Sequence, residues 1–302
     1  MSTTPVSNQP IDRDGLIAHI SAFLYGYEGE RLEEMRQALG RVIDAAGPDA
    51  IRMLNRRLAV AGNDFDFYPH DPLTRQIHHL LGDRVLEAQS HLHGVEHIAE
   101  AAGGPIVIFS NHLSYSDANL LEVLLHRAQQ PMAEHLTVIA GPKVYSSLTR
   151  RFSSLCFGTI KTPQSSGLSS EDAVMNPREV ARAARKSIEA AHERLRAGDA
   201  LLVFAEGTRS RSTGMQQLLT GVTRYLELPD TRILPVGLVG SEALFPIGDE
   251  TVHSVQVVGR VGAPILATEL EAQSGGDRRV MMDAVGKKIA ELLPAEYRGV
   301  YE

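Results

Sequence analysis

A histidine and an aspartate five positions apart, in Asn111-His112-Leu113-Ser114-Tyr115-Ser116-Asp117, are the residues of this chain best placed to do chemistry. A carboxylate within reach of an imidazole fixes its tautomer and stabilises the charged ring, which makes the histidine a better general base. On a continuous helix the two side chains would point about 140° apart, at ~3.6 residues per turn. They meet only if the intervening residues turn. The apolar run Pro105-Ile106-Val107-Ile108-Phe109 reads as a buried strand leading in. Leu120, Leu121, Val123, Leu124 and Leu125 carry a helical apolar pattern leading out. The spacing therefore puts His112 where a strand ends and Asp117 where a helix begins, with Ser114, Ser116 and Asp117 suited to a turn and N-cap. The plainer alternative is that Asp117 only caps the helix.

Two later stretches have the same strand-then-loop character. Ala200-Leu201-Leu202-Val203-Phe204 opens into Ala205-Glu206-Gly207-Thr208-Arg209-Ser210-Arg211, where a glycine beside an acid and two arginines forms a plausible anion cradle. Arg232-Ile233-Leu234-Pro235-Val236-Gly237-Leu238-Val239-Gly240 is a third strand-like run.

Taken in order, these blocks resemble the glycerolipid acyltransferases, the glycerol-3-phosphate and 1-acylglycerol-3-phosphate acyltransferases. The family pattern is Asn-His-(four residues)-Asp, then Phe-Pro-Glu-Gly-Thr-Arg-Ser, then an apolar Ile-Pro-Val block. The first is matched fully, the second with Ala205 for proline, and the third through Leu234-Pro235-Val236. Gly94-Val95-Glu96-His97 with Gly104-Pro105 resembles the family's Gly-Leu-Glu-Asn lead-in, so the likeness covers roughly residues 90 to 302. It implies acyl transfer from a thioester, acyl-CoA or acyl carrier protein, to a hydroxyl of glycerol 3-phosphate or a lysophospholipid. His112 would be the base and Asp117 its orienting partner, with no cofactor and no metal. The resemblance carries Glu206, Gly207 and Arg209 over as acceptor-binding residues. Thr208, Arg211 and Lys143 join the same substrate-binding set, and the Gly207 turn is the expected source of N–H donors for the oxyanion.

One block departs from the pattern. Where the family has Ile-Asp-Arg, whose arginine also meets acceptor phosphate, this chain has Gly158-Thr159-Ile160-Lys161-Thr162. Lys161 can replace that arginine only as a point charge. An acceptor without phosphate, another lyso-lipid or a small alcohol, is therefore the alternative. A non-catalytic protein that binds lipid or acyl carrier is the alternative from another class.

The elements that must hold these residues follow from pattern. From Pro105 onward strands alternate with helices, an α/β arrangement with a parallel-rich mixed sheet flanked by helices. Strands are expected at 135–140, 158–161, 200–204, 232–239 and 255–258, with helices at 143–155, 213–226 and 280–293. A long helix beginning at Pro177 exposes Arg178, Arg182, Arg185 and Lys186, a solvated face or a dock for an anionic acyl carrier. Residues 162–176, rich in serine, glycine and proline, read as a loop near the site. Before Pro105 the pattern is helical throughout. The domains are accordingly a disordered tail at 1–10, a helical unit at 11–88 and an acyltransferase domain at 89–302. Leu16, Ile17, Ile20, Phe23 and Leu24 give the first helix one apolar face, for packing or for lying on a membrane.

Composition sets outer bounds. Over 302 residues the hydrophobic share is 43%, the charged share 22% and the net charge −7, which argues against a nucleic-acid partner. The one cysteine, Cys156, rules out an internal disulfide, fits a reducing compartment, and sits in an apolar run typical of an inert core thiol. Met1–Pro10 lacks the pattern of a signal peptide, and no apolar run approaches the ~18–20 residues that span a bilayer. The expected location is cytoplasmic, with any membrane contact peripheral and made at the inner face. His93-Gly94-Val95-Glu96-His97 spells an inverted zinc-peptidase motif, but it requires a helix with Gly94 in its interior.

Overall fold

The computed structural model describes residues 10–24, 29–163, 175–246 and 252–302. Its N-terminal helices are α1 (Arg13–Phe23), α2 (Gly29–Val60) and α3 (Pro72–Val85). Gly47 breaks α2 into the two halves expected from Gly47-Pro48, with φ 79° and ψ 172°. Asp71 caps α3 by accepting from the N–H groups of Leu73 and Thr74, and Pro72 occupies the first turn, where its missing N–H costs nothing. Between and after these lie two short strands, β1 (Phe67–Tyr68) and β2 (His91–His93), and a single-turn helix α4 (Glu96–Glu100).

The α/β part follows: β3 (Ile106–Ser110), α5 (Asp117–Arg127), β4 (Leu136–Ala140), α6 (Leu148–Ser154), β5 (Gly158–Lys161), α7 (Pro177–Arg196), β6 (Ala200–Val203) and β7 (Arg232–Val239). The chain closes with β8 (Val258–Val261), β9 (Ile265–Leu266), α8 (Ala267–Gln273), α9 (Arg278–Ala290) and α10 (Ala295–Arg298). Among the described residues the strands form one sheet in the order β1-β5-β4-β6-β3-β7-β8-β2, with β9 beside β7. The middle five, β5 to β7 in that order, are mutually parallel, while β1, β8 and β9 pair antiparallel. This is the mixed, parallel-rich sheet the sequence calls for. β3 lies at its centre, buried on both faces, as the unbroken apolar runs of β3, β6 and β7 require.

The N-terminal helices share their core with the sheet. Leu16 and Ile20 of α1, its C-cap Leu24, and Leu39 and Ile43 of α2 pack with Tyr145, Phe152 and Leu155 from the α/β part. The apolar face of α1 is thus consumed by packing, and the membrane reading of that helix loses its surface. No helix among the described residues is long and apolar enough to cross a membrane.

Several local expectations need correction. Strands do occur before Pro105, but β1 and β2 hold two and three residues, too few to show a period. The helix expected over 143–155 is a 3₁₀ turn (Pro142–Tyr145) followed by α6, because Ser147 adopts an extended conformation and caps α6 through the Arg150 N–H. The helix expected over 213–226 is reduced to a 3₁₀ segment, Thr220–Leu226. Its would-be donors have other acceptors: Met215 N–H donates to the Tyr297 carbonyl, Gln216 N–H to Glu206 and Leu218 N–H to the Tyr301 hydroxyl. The strand expected at 255–258 begins only at Val258, since Val255 and Val257 bond to the Leu86–His91 stretch. Residues 164–174 of the loop expected over 162–176, residues 1–9 of the expected tail and part of the loop after Phe245 fall outside the described residues.

Candidate active site

The site lies where the carboxyl ends of three adjacent parallel strands, β6, β3 and β7, come together, the usual crevice of an open α/β sheet. Asn111 follows directly on β3 and ties its end to β7: its amide donates to the Leu238 carbonyl at 2.9 Å and accepts from the Leu238 N–H at 2.7 Å. His112 is the next residue, the first released from the sheet.

The turn from His112 to Asp117 closes around one carboxylate oxygen. Asp117 Oδ2 accepts from His112 Nδ1 at 2.8 Å, from Leu113 N–H at 2.7 Å and from Ser114 N–H at 2.9 Å. Its other oxygen, Oδ1, accepts from the Ser241 hydroxyl at 2.6 Å. Asp117 is fully buried, the first residue of α5, and it both shapes the turn and holds the ring. With Nδ1–H committed to Asp117, Nε2 carries the imidazole lone pair. The opposite face of the ring is settled by Phe204, stacked at 4.3 Å between centroids and 20° between planes.

The loop after β6 holds the backbone of His112 from both sides. Glu206 Oε1 accepts from His112 N–H at 2.8 Å, and Ser210 N–H donates to the His112 carbonyl at 2.7 Å. Glu206 Oε2 accepts from Gln216 N–H at 2.8 Å. Gly207 turns the loop with φ 75°, a left-handed conformation that glycine adopts without penalty. Glu206 thus sits buried behind His112 as a brace, with both oxygens engaged. Gly207 N–H donates to the Phe204 carbonyl at 3.1 Å, so the donor expected for the oxyanion has a partner already.

Burial pushes the Glu206 carboxyl up to about 7, against the pull of its two backbone N–H donors and the His112 ring. Between its ordinary 4.5 and about 7, the folded protein keeps a proton that the unfolded chain has lost. Stability should therefore fall as pH rises through this window, by up to about 3 kcal/mol. Glu206→Gln cannot titrate, so urea midpoints measured from pH 5 to 8 should lose that component of the slope. An unchanged slope in the variant would show that Glu206 does not titrate there.

His112 opens onto a cleft of about 470 Å³ whose polar lining includes Tyr115, Lys143, Thr208, Arg209 and Arg224. Its apolar lining includes Val138, Phe157, Ile188 and Val203. The Arg209 guanidinium lies 4.5 Å above the ring of the exposed Tyr115, and Arg150 approaches the same ring at 5.3 Å. The structure thus brings together His112, Asp117, Glu206, Gly207, Thr208, Arg209 and Lys143. It does not bring in Arg211, which is exposed outside the cleft, or Lys161, whose Nζ donates to the Gly62 carbonyl at 2.6 Å over the Phe65 ring. Ser241, Phe204 and Tyr115 are additions to the set expected from sequence, and Arg150 reaches the site only through the Tyr115 ring. Tyr115, inside the His112–Asp117 turn, and Phe204, one residue past β6, were the two in plain view.

Among the described residues no group of three or more His, Cys, Asp or Glu side chains could hold a metal ion. The helix that the inverted zinc motif requires is absent: His93 ends β2, Gly94 turns with φ 71°, and His97 lies in α4. Cys156 is buried, and burial raises its thiol well above the ordinary range, as an inert core thiol requires.

The site is thus an imidazole oriented by a buried carboxylate at the carboxyl edge of the parallel sheet of an α/β protein, facing a half-apolar cleft. The family model described as acyltransferase matches residues 89–239, half of the chain, and the chain belongs to the acyltransferase family, as an enzyme that transfers an acyl group. A solved structure titled 1-acyl-sn-glycerophosphate (LPA) acyltransferase, PlsC, from Thermotoga maritima is similar in fold. The TM-score is 0.50 at 17% identity, over 93% of this chain and 98% of that one. No curated protein sequence matches the chain significantly.

Proposed function

We propose that this enzyme moves a fatty acyl group from a thioester, acyl-CoA or acyl carrier protein, to a hydroxyl of a glycerol 3-phosphate or lysophospholipid acceptor. The observation that carries the reading is the Asp117–His112 pair, which leaves Nε2 as the acceptor nitrogen on a cleft wide enough for a chain and a head group. His112 Nε2 takes the proton from the acceptor hydroxyl as its oxygen attacks the thioester carbonyl carbon. The tetrahedral adduct then expels the thiolate, and the imidazolium returns the proton to sulfur. Asp117 stabilises the imidazolium between the two steps. The name of the Thermotoga structure supports a lysophosphatidate acceptor. A donor-by-acceptor panel, crossing acyl-CoA and acyl carrier protein with glycerol 3-phosphate and several lyso-lipids, tests the reading, and no turnover in any combination would sink it.

Arg209 is assigned to an anionic group on the acceptor, with Tyr115 holding its planar face. Arg209→Lys should lower kcat/KM for the acceptor roughly tenfold, because an ammonium cannot reproduce the two-donor fork, and should leave the donor KM nearly unchanged. A rise confined to donor KM would move Arg209 to the CoA phosphates instead. One observation favours a second reading, an acceptor without phosphate: the family's second arginine is absent, and Lys161, the nearest cation, donates to the Gly62 carbonyl. The lyso-lipid arm of the panel separates the two.

For the donor, the exposed Arg178, Arg182, Arg185 and Lys186 on α7, whose Ala184 and Ile188 line the cleft, support an acidic acyl carrier. We place the enzyme in the cytoplasm, meeting lipid peripherally.

A further inference from the structure

Tyr297, the third residue of α10, is buried and meets the supports of both members of the His112–Asp117 pair. Its hydroxyl donates to Glu242 Oε1 at 2.5 Å. Glu242 follows Ser241 in a 3₁₀ turn (Ser241–Leu244) just after β7, and the Ser241 hydroxyl is the donor to Asp117 Oδ1. The Tyr297 carbonyl accepts from Met215 N–H at 2.9 Å. The next N–H along, that of Gln216, goes to Glu206, which holds the His112 backbone. One residue therefore joins the loop that braces His112 to the turn that completes Asp117.

We propose that Tyr297 is a positioning residue: anchored by its carbonyl to the bracing loop, it holds the Ser241 hydroxyl on Asp117 through Glu242 and so fixes the orientation of the His112 ring. This rests on the acyl-transfer reading above, with His112 as the base. The anchor is firm. Val300 N–H donates to the Met215 carbonyl at 3.1 Å and Leu218 N–H to the Tyr301 hydroxyl at 3.0 Å. Gly299, with φ 56°, permits that approach, since a Cβ there would lie 2.1 Å from the Met215 carbonyl oxygen. The link is short as well. Ser241 and Glu242 share a planar peptide, so a shift of one carries the other. Glu242 Oε2 is buried with no hydrogen-bond partner among the described residues, which leaves the phenol to hold this carboxylate through Oε1. Burial and the neighbouring Glu242 keep the phenol well above its ordinary range, so it remains a donor. None of the sequence blocks at 111–117, 205–211 or 232–240 points to it.

The test is kinetics and nitrogen-15 NMR of the His112 ring on wild type, Tyr297→Phe, Ser241→Ala and the double variant. Tyr297→Phe keeps the ring and the carbonyl and deletes the hydroxyl alone. Its kcat should fall about tenfold, within the ~10²-fold that a misplacement of about 1 Å can cost, with donor and acceptor KM near wild type. The His112 ring signals should move in the same direction as in Ser241→Ala. Because both changes act on one hydrogen-bond path, the double variant should be about as slow as Ser241→Ala alone. Glu242→Gln keeps an acceptor but weakens the bond to the phenol, and should show the same loss and ring shifts in smaller measure. Wild-type kcat and unmoved ring signals in folded Tyr297→Phe would overturn the proposal, and so would losses that multiply in the double variant. Should Tyr297→Phe not fold, unmoved signals in Glu242→Gln would overturn it equally. If wild type turns over no thioester, the acyl-transfer reading fails, and the ring signals still decide whether Tyr297 positions His112.

Discussion

His112→Ala should leave a folded protein with almost no acyl transfer. A positioned general base is worth about 10²–10⁴ in rate, and no neighbouring group replaces the lost nitrogen: Glu206 has both oxygens on backbone N–H groups behind His112, and Phe204 is apolar. The fold should survive because the ring is a late addition to a turn built by other bonds. Asp117 would keep the Leu113 and Ser114 N–H groups and the Ser241 hydroxyl, and the 112 backbone would keep Glu206 and Ser210. The checks are kcat/KM with the best donor and acceptor and a thermal midpoint within a few degrees of wild type. Turnover near the wild-type value would remove His112 from the mechanism.

How much of this could be read from the chain depends on how local the determining interaction is. β3, β6 and β7 stand out because strands covered on both faces are continuous apolar runs. The turn at His112 is legible because both partners and the bend lie within six residues. Ser241 is not, since it meets Asp117 across 124 positions and follows an ordinary strand end. The segment from Thr213 to Leu219 has a helical apolar pattern, yet long-range acceptors at Glu206, Tyr297 and Tyr301 take its N–H groups. Glu206 could be picked out beside Gly207 and Arg209, but not its duty of bracing His112 from behind. Lys161 shows the limit most plainly. A cation next to the place of a family arginine invites a phosphate, and only the approach of Gly62 from the helical unit reveals that it donates to a backbone carbonyl.

Asp117→Asn should be less damaging than such a change usually is, and the reason lies in the two backbone N–H groups that share its oxygen. Where an aspartate orients a catalytic histidine, an amide can present its NH₂ to the ring, invert the tautomer and cost about 10⁴ in kcat. Here an NH₂ at the Oδ2 position would face three donors at once: His112 Nδ1–H, Leu113 N–H and Ser114 N–H. At the Oδ1 position it would face only the Ser241 hydroxyl, which can rotate to accept. The amide oxygen is therefore forced toward the histidine, and the ring keeps its Nδ1–H form. What is lost is the carboxylate charge that stabilises the imidazolium, so kcat should fall by about 10²-fold, the low end of what a positioned base contributes. Nitrogen-15 NMR of the His112 ring should still report the Nδ1–H tautomer in the variant. Adding Ser241→Ala to Asp117→Asn should then be costly for stability, because the buried NH₂ loses its acceptor, by about 1–3 kcal/mol. Asp117→Ala, which strands two backbone donors, should be the most destabilised of the set. An inverted tautomer in Asp117→Asn, or a rate loss of about 10⁴ or more, would mean the Leu113 and Ser114 N–H groups do not govern how the side chain at 117 is oriented.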